Sequence, residues 1–150
     1  MKRIIKFSSF LLALISVGIV IGCEDTSNNY SSYNMHYFFT DYGSNSAMIR
    51  TPDNSDVAVL ATTESGKGGN LYEGIFVTLT KTINGDSYTF RGSKGGVSYE
   101  VTGSLTNNSN GTTNDSFTIQ SSSQAMQNLG FTEGKSIQHW TEKTSGVFVY

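Results

Sequence analysis

From Ile75 to Ile83 the chain alternates: Ile75, Val77, Leu79 and Ile83 fall on one face, and Thr78, Thr80 and Thr82 on the other. Period two of this kind marks a half-buried β-strand. Phe76 shares the threonine face, so that face is not wholly polar. Val97, Tyr99, Val101 and Leu105 repeat the pattern against Ser98, Glu100, Thr102 and Ser104, and Phe117 and Ile119 do so against Ser116, Thr118 and Gln120. These segments read as neighbours in one sheet or barrel.

The connections fit antiparallel pairing. Asn84-Gly85-Asp86 separates strands at 74–83 and 87–91 and supplies the residues that accept the positive φ angles of a tight hairpin. Gly92 to Gly96 joins Tyr88–Phe90 to the Val97 strand in the same way, which makes a three-strand meander. Further strands are predicted at Met35–Tyr42, Val57–Thr63, Ser136–Lys143 and Val147–Tyr150, the last two flanking a joint at Thr144-Ser145-Gly146. Ser122 to Leu129 predicts one or two helical turns, with a serine as cap and Gly130 as stop. Gly66 to Asn70 reads as a flexible connection and Thr106 to Asn114 as a polar rim loop. The fold class is therefore all-β: a small antiparallel β-barrel or β-sandwich with a meander core and one short helix. A barrel is preferred because closure hides every strand edge.

The N-terminal 22 residues follow a different pattern. Lys2, Arg3 and Lys6 form a positive start, and Phe7 to Ile21 is an apolar run too short for a stable membrane span, which needs roughly 20 apolar residues. It ends in Val20-Ile21-Gly22-Cys23, with Cys23 the only cysteine in the chain. This sequence resembles the lipobox of bacterial lipoproteins, although Val20 stands where leucine is the usual residue. The resemblance covers residues 1–23 and implies a signal peptide at 1–22, covalent diacylglycerol on the Cys23 thiol and an N-acyl chain on its new amino group. No other cofactor is expected. It also implies that the partner of Cys23 is a lipid membrane. Glu24 rather than aspartate after the cysteine points to the outer membrane of the cell envelope. Residues 23–34, polar and nearly without aliphatics, read as a flexible tether, and 35–150 as a single β-rich domain.

Loss of Lys2, Arg3 and Lys6 changes the charge balance. Ten basic and twelve acidic residues become seven against twelve, a net charge of −5. Such a surface repels phosphate backbones, so no nucleic-acid partner is expected. With Cys23 as the sole thiol, the domain forms no internal disulfide and depends on packing.

Candidate chemistry is sparse. His36 and His139, the only histidines, lack metal-ligand spacing, and Ser65 and Ser93 lack the strand-to-helix context of a nucleophile elbow. Gly66-Lys67-Gly68-Gly69 is not a phosphate loop, and Asp53-Asn54-Ser55-Asp56 reads as an Asx-stabilised turn rather than a calcium site. No catalytic residue and no metal ligand is assigned, and an enzyme is not expected. Tyr30, Tyr33, Tyr37, Phe38, Phe39, Tyr42, Tyr72, Trp140, Phe148 and Tyr150 are the aromatic candidates for recognition, at least half of them being packing residues. His139 and Trp140 are taken together as the candidate binding pair. Small exported barrels of lipocalin and avidin type, and small lipoprotein inhibitors of proteases, are similar in architecture without sharing a residue motif. The expected function is a membrane-anchored lipoprotein acting as a non-catalytic binding module for an envelope, host or protease partner. Alternatives are a structural envelope lipoprotein and a lipocalin-like barrel holding a small ligand.

Overall fold

The computed structural model describes residues 32–64, 74–106 and 116–150. They form eight antiparallel strands in a closed barrel, each paired with its neighbours in sequence and β8 closing onto β1. The strands are β1 (Ser32–Tyr42), β2 (Asn45–Pro52), β3 (Val57–Thr62), β4 (Phe76–Asn84), β5 (Ser87–Lys94), β6 (Val97–Thr106), β7 (Ser116–Ser122) and β8 (Ser136–Ser145). The helix α1 (Gln124–Asn128) lies between β7 and β8.

The meander is formed by β4, β5 and β6, with Ile83 opposite Tyr88 and Phe90 opposite Val101. Its second turn is shorter than the sequence implies. Gly92, Ser93 and Lys94 stay in β5, and only Gly95 and Gly96 make the turn, with φ of 59° and 79°. Two successive positive φ angles match the right-handed twist of the flanking strands, so a two-residue turn suffices.

Four points of the sequence reading are corrected. Asn45–Pro52 is a strand that the sequence did not announce. Its inward residues Ala47, Ile49 and Thr51 are buried, but so are the outward Met48 and Pro52, so no polar face marks the alternation. Val147–Tyr150 is not a strand: β8 runs through the supposed joint to Ser145, and the chain beyond turns onto the outside of β2, where Arg50 donates to the Val149 carbonyl at 3.1 Å and lies 5.3 Å from the Phe148 ring. Ser123 is the N-cap residue of α1 but its side chain makes no cap bond. The hydroxyl instead donates to the Ser98 carbonyl and accepts from the Glu100 amide, which fastens the helix to β6. The first strand also begins before residue 35: Ser32, Tyr33 and Asn34 pair with Ser145, Thr144 and Lys143.

Eight strands enclose a lumen just wide enough for side chains to fill it. Phe38 on β1 is fully buried and its ring lies 5.1 Å from Phe90 on the opposite strand β5, 4.8 Å from Phe117 on β7 and 4.8 Å from His139 on β8. The middle of the barrel is therefore occupied across its width. One end is plugged by Met126, Leu129 and Phe131, which α1 and the following turn deliver to the core. Lys135 secures this end by donating to the Thr40 hydroxyl at 2.7 Å and to the Gly130 carbonyl at 3.2 Å.

Candidate functional site

The end of the barrel where β1 begins is lined by polar side chains. His36 from β1, Lys81 from β4, Tyr88 from β5 and His139 from β8 gather there. His36 Nδ1 and His139 Nε2 are 3.1 Å apart, the rings are nearly parallel at 28°, and the His36 ring is 6.1 Å from Tyr88. His139 is 3 % exposed and Lys81 4 %. Lys81 Nζ donates to the Pro52 carbonyl. Burial of a basic nitrogen disfavours its charged form. Accordingly burial, and then the neighbouring Lys81 charge, hold the His36 pKa below its usual value, with Asp53 opposing them. Burial likewise lowers the Lys81 amine, against the pull of Asp56 and Asp53, while burial and then Asp86 raise the Tyr88 phenol.

The turn between β2 and β3 carries these aspartates. Asp53 accepts from the Asn34 side-chain amide at 3.0 Å, and the Ser55 hydroxyl accepts from the Val57 amide at 3.1 Å. Ser55 thus serves the local turn, while Asp53 ties the turn to the start of β1. Among the described residues, no group of three or more His, Cys, Asp or Glu could hold a metal ion.

Outside the same two strands lies an aromatic face. Tyr37 of β1 stands directly opposite Trp140 of β8, the rings stack at 5.1 Å and 14°, and Phe39 lies 6.2 Å from Trp140. The Tyr37 hydroxyl donates to Glu142 at 3.4 Å. All three aromatic residues are half-buried. On the next strand, Arg50 is the cross-strand partner of Tyr37 and carries the Phe148 segment.

The expected pair is therefore divided. His139 and Trp140 are consecutive in a strand, so one enters the lumen and the other leaves it. They do not share a site. The partner of His139 is His36, 103 residues away, and the partner of Trp140 is Tyr37. Phe38 belongs to the core. Cys23, Tyr30, Ser65, Tyr72 and the 66–70 connection lie outside the described residues, as does 107–114 of the rim loop. Lys81 was missed, although its position was legible: it falls in register with Val77 and Leu79 on the inward face. The pairing of the two histidines has no sequence signal, because it depends on closure of the first strand against the last. No family model, no curated protein and no solved structure matches this chain.

Proposed function

We propose that the protein is a lipid-anchored lipoprotein of the cell envelope whose barrel is a non-catalytic binding module, holding a protein partner on the outer face built by Tyr37, Phe39 and Trp140. The observation that carries this reading is the contrast between the two sides of the wall. The lumen is crossed by Phe38, whose ring meets both Phe90 and Phe117, whereas the stacked Tyr37–Trp140 pair is half-exposed outside. A filled lumen leaves a lipocalin-like ligand no room at that level, and half-exposed Tyr and Trp are the residues that anchor protein interfaces. The lipobox resemblance at Cys23 supplies the anchor, and two acyl chains on one residue give durable attachment.

The test is surface crosslinking on intact cells with a tagged full chain, comparing the wild type with Trp140→Ala and identifying captured proteins by mass spectrometry. Removing a central aromatic anchor costs about 2 kcal/mol, or roughly thirtyfold in affinity. The expected result is loss of a specific protein partner from the variant while its circular dichroism stays native. A partner captured equally by both proteins would remove Trp140 from the binding surface. Capture of resident envelope proteins alone would favour the structural role.

A further inference from the structure

Strand pairing sets the outer face in rows. Along β1 and β8, Met35 faces Glu142, Tyr37 faces Trp140 and Phe39 faces Gln138. On the β2 side, Pro52, Arg50 and Met48 stand beside Met35, Tyr37 and Phe39. Trp140 therefore has aromatic neighbours on β1 and one carboxylate on its own strand, Glu142, two residues on and about 7 Å along the same face.

The charges in and around these rows are unevenly matched. Arg50 is occupied, donating to the Val149 carbonyl and lying 5.3 Å from the Phe148 ring. Lys143 follows Glu142 in the strand and so points to the opposite side of the wall. Beyond Phe39, Lys135 is held by the Thr40 hydroxyl and by the Asp41 and Gly130 carbonyls, and the Asp41 carboxylate accepts from the Ser46 hydroxyl at 2.6 Å. Glu142 is exposed, and among the described residues its carboxylate accepts only the 3.4 Å bond from the Tyr37 hydroxyl. On the polar wall, by contrast, Glu100 is paired with Arg91 at 2.8 Å. The unmatched charge beside the aromatic pair is negative, in keeping with a chain of net charge −2.

Trp140 supplies the other half of the site. Tyr37 covers one face of its indole at 5.1 Å, and Phe39 lies tilted at 6.2 Å. The pairing of β7 with β8 stops at Gln138, two residues short of Trp140, so among the described residues no strand covers the second indole face. A flat cation answers both features at once. A guanidinium stacks on an indole within about 6 Å of the ring centroid and offers a fork of N–H groups that matches a carboxylate, whereas an ammonium is a compact, strongly hydrated point charge. We propose that this face takes an arginine side chain of a basic protein partner, its guanidinium stacked on Trp140 and paired with Glu142. The proposal rests on the binding role given to Tyr37, Phe39 and Trp140, and adds the chemistry of what is bound.

Trp140 is the only tryptophan, so its emission reports on the site without knowledge of the partner. The full chain in micelles of an uncharged detergent is titrated with the peptide acetyl-Gly-Gly-Arg-Gly-Gly-amide, and with counterparts that carry lysine or citrulline, the neutral isostere of arginine, in its place. The expected result is a saturable change in emission with the arginine peptide, weaker by about threefold with lysine and by about tenfold with citrulline. Glu142→Gln lowers the arginine affinity by about fivefold. Glu133→Gln, exposed in the turn before β8, leaves it unchanged. No saturable response to the arginine peptide, an equal response to arginine and citrulline, or an arginine affinity indifferent to Glu142→Gln would each overturn the proposal. Glu142 is exposed, so circular dichroism of its variants should stay native. Crosslinking capture on cells separates the arginine from the reading beneath it. A partner lost from both Trp140→Ala and Glu142→Lys supports both. A partner lost from Trp140→Ala and kept by Glu142→Lys preserves the binding face and overturns the arginine, whereas a partner kept by Trp140→Ala overturns the face itself.

Discussion

Lys81 occupies a position where the alternation of β4 calls for an apolar side chain, and its ammonium is taken out of water for a bond to the Pro52 carbonyl. Taking a charge out of water costs more than one hydrogen bond returns, which is why burial lowers this pKa. The sign of the pH dependence follows. In the unfolded chain the amine keeps its ordinary value of 10.5, and in the folded protein the value is lower. Between the two, the unfolded state binds more protons, so stability rises with pH and the penalty is greatest below the folded value. Lys81→Met removes that penalty. Its denaturation midpoint relative to the wild type should be higher at about pH 7 than at about pH 10. An equal difference at both values would mean that the amine is not penalised. At this scale the sequence was only half informative. Period two placed Lys81, but it also divides His139 from Trp140, and reading those two neighbours as one site ignored the direction in which a strand sends its side chains.

Among the elements, legibility follows how cleanly each strand separates an inner face from an outer one. In β4, β6 and β7 the alternation is uninterrupted through most of the strand, and these were recognised. In β2 and β3 residues on both faces are buried, including Met48, Val59 and Ala61 on the outside; β3 was still legible as the unbroken apolar run from Val57 to Ala61, whereas in β2 Asn45, Ser46, Arg50 and Thr51 interrupt the run, and it escaped notice. Val147–Tyr150 shows the reverse error, since an apolar run that reads as a strand finds its place over Arg50 instead of on a sheet edge. The β6–β7 pair shifts register between Thr102 and Gly103. A Cβ at Gly103 would stand 2.5 Å from the Phe117 ring and 2.6 Å from the Thr118 carbonyl oxygen. The ring is fixed in the core and the carbonyl belongs to the neighbouring strand, so neither gives way easily. Gly103→Ala should cost about 1 to 3 kcal/mol, the range of overpacking in a filled interior. Thermal unfolding monitored by circular dichroism checks this, and a midpoint equal to or above that of the wild type would show that the bulge absorbs the methyl group.

For the molecule as a whole, the choice between barrel and sandwich turns on one contact, the pairing of Ser32–Phe39 with Gln138–Ser145. About a hundred residues separate the paired positions, so no local pattern foretells their closure, whereas the meander between Phe76 and Thr106 is joined by short turns and could be read directly. The closed barrel has a plugged end, where α1 delivers Met126, and a polar end, where β1 begins at Ser32. The proposed membrane attachment rests on the N-terminal segment, where the sequence offers one chemical handle, Cys23. If the lipobox reading is right, attachment depends on that sulfur alone: a mature chain of net charge −5 gains nothing electrostatically from an anionic lipid surface, while each buried acyl CH₂ contributes about 0.8 kcal/mol. Cells fed radiolabelled palmitate should label the wild type and not Cys23→Ala, and the label should follow the wild type into the membrane fraction. Because the cut in the resembled family falls directly before the lipid-bearing cysteine, the Cys23→Ala chain should also keep residues 1–22 and run as a larger band. Label retained by the variant would place the lipid on another residue. An unlabelled wild type that stays in the membrane at full length would instead identify the apolar run as an uncleaved anchor, and would leave the binding face on the barrel to be judged by Trp140 alone.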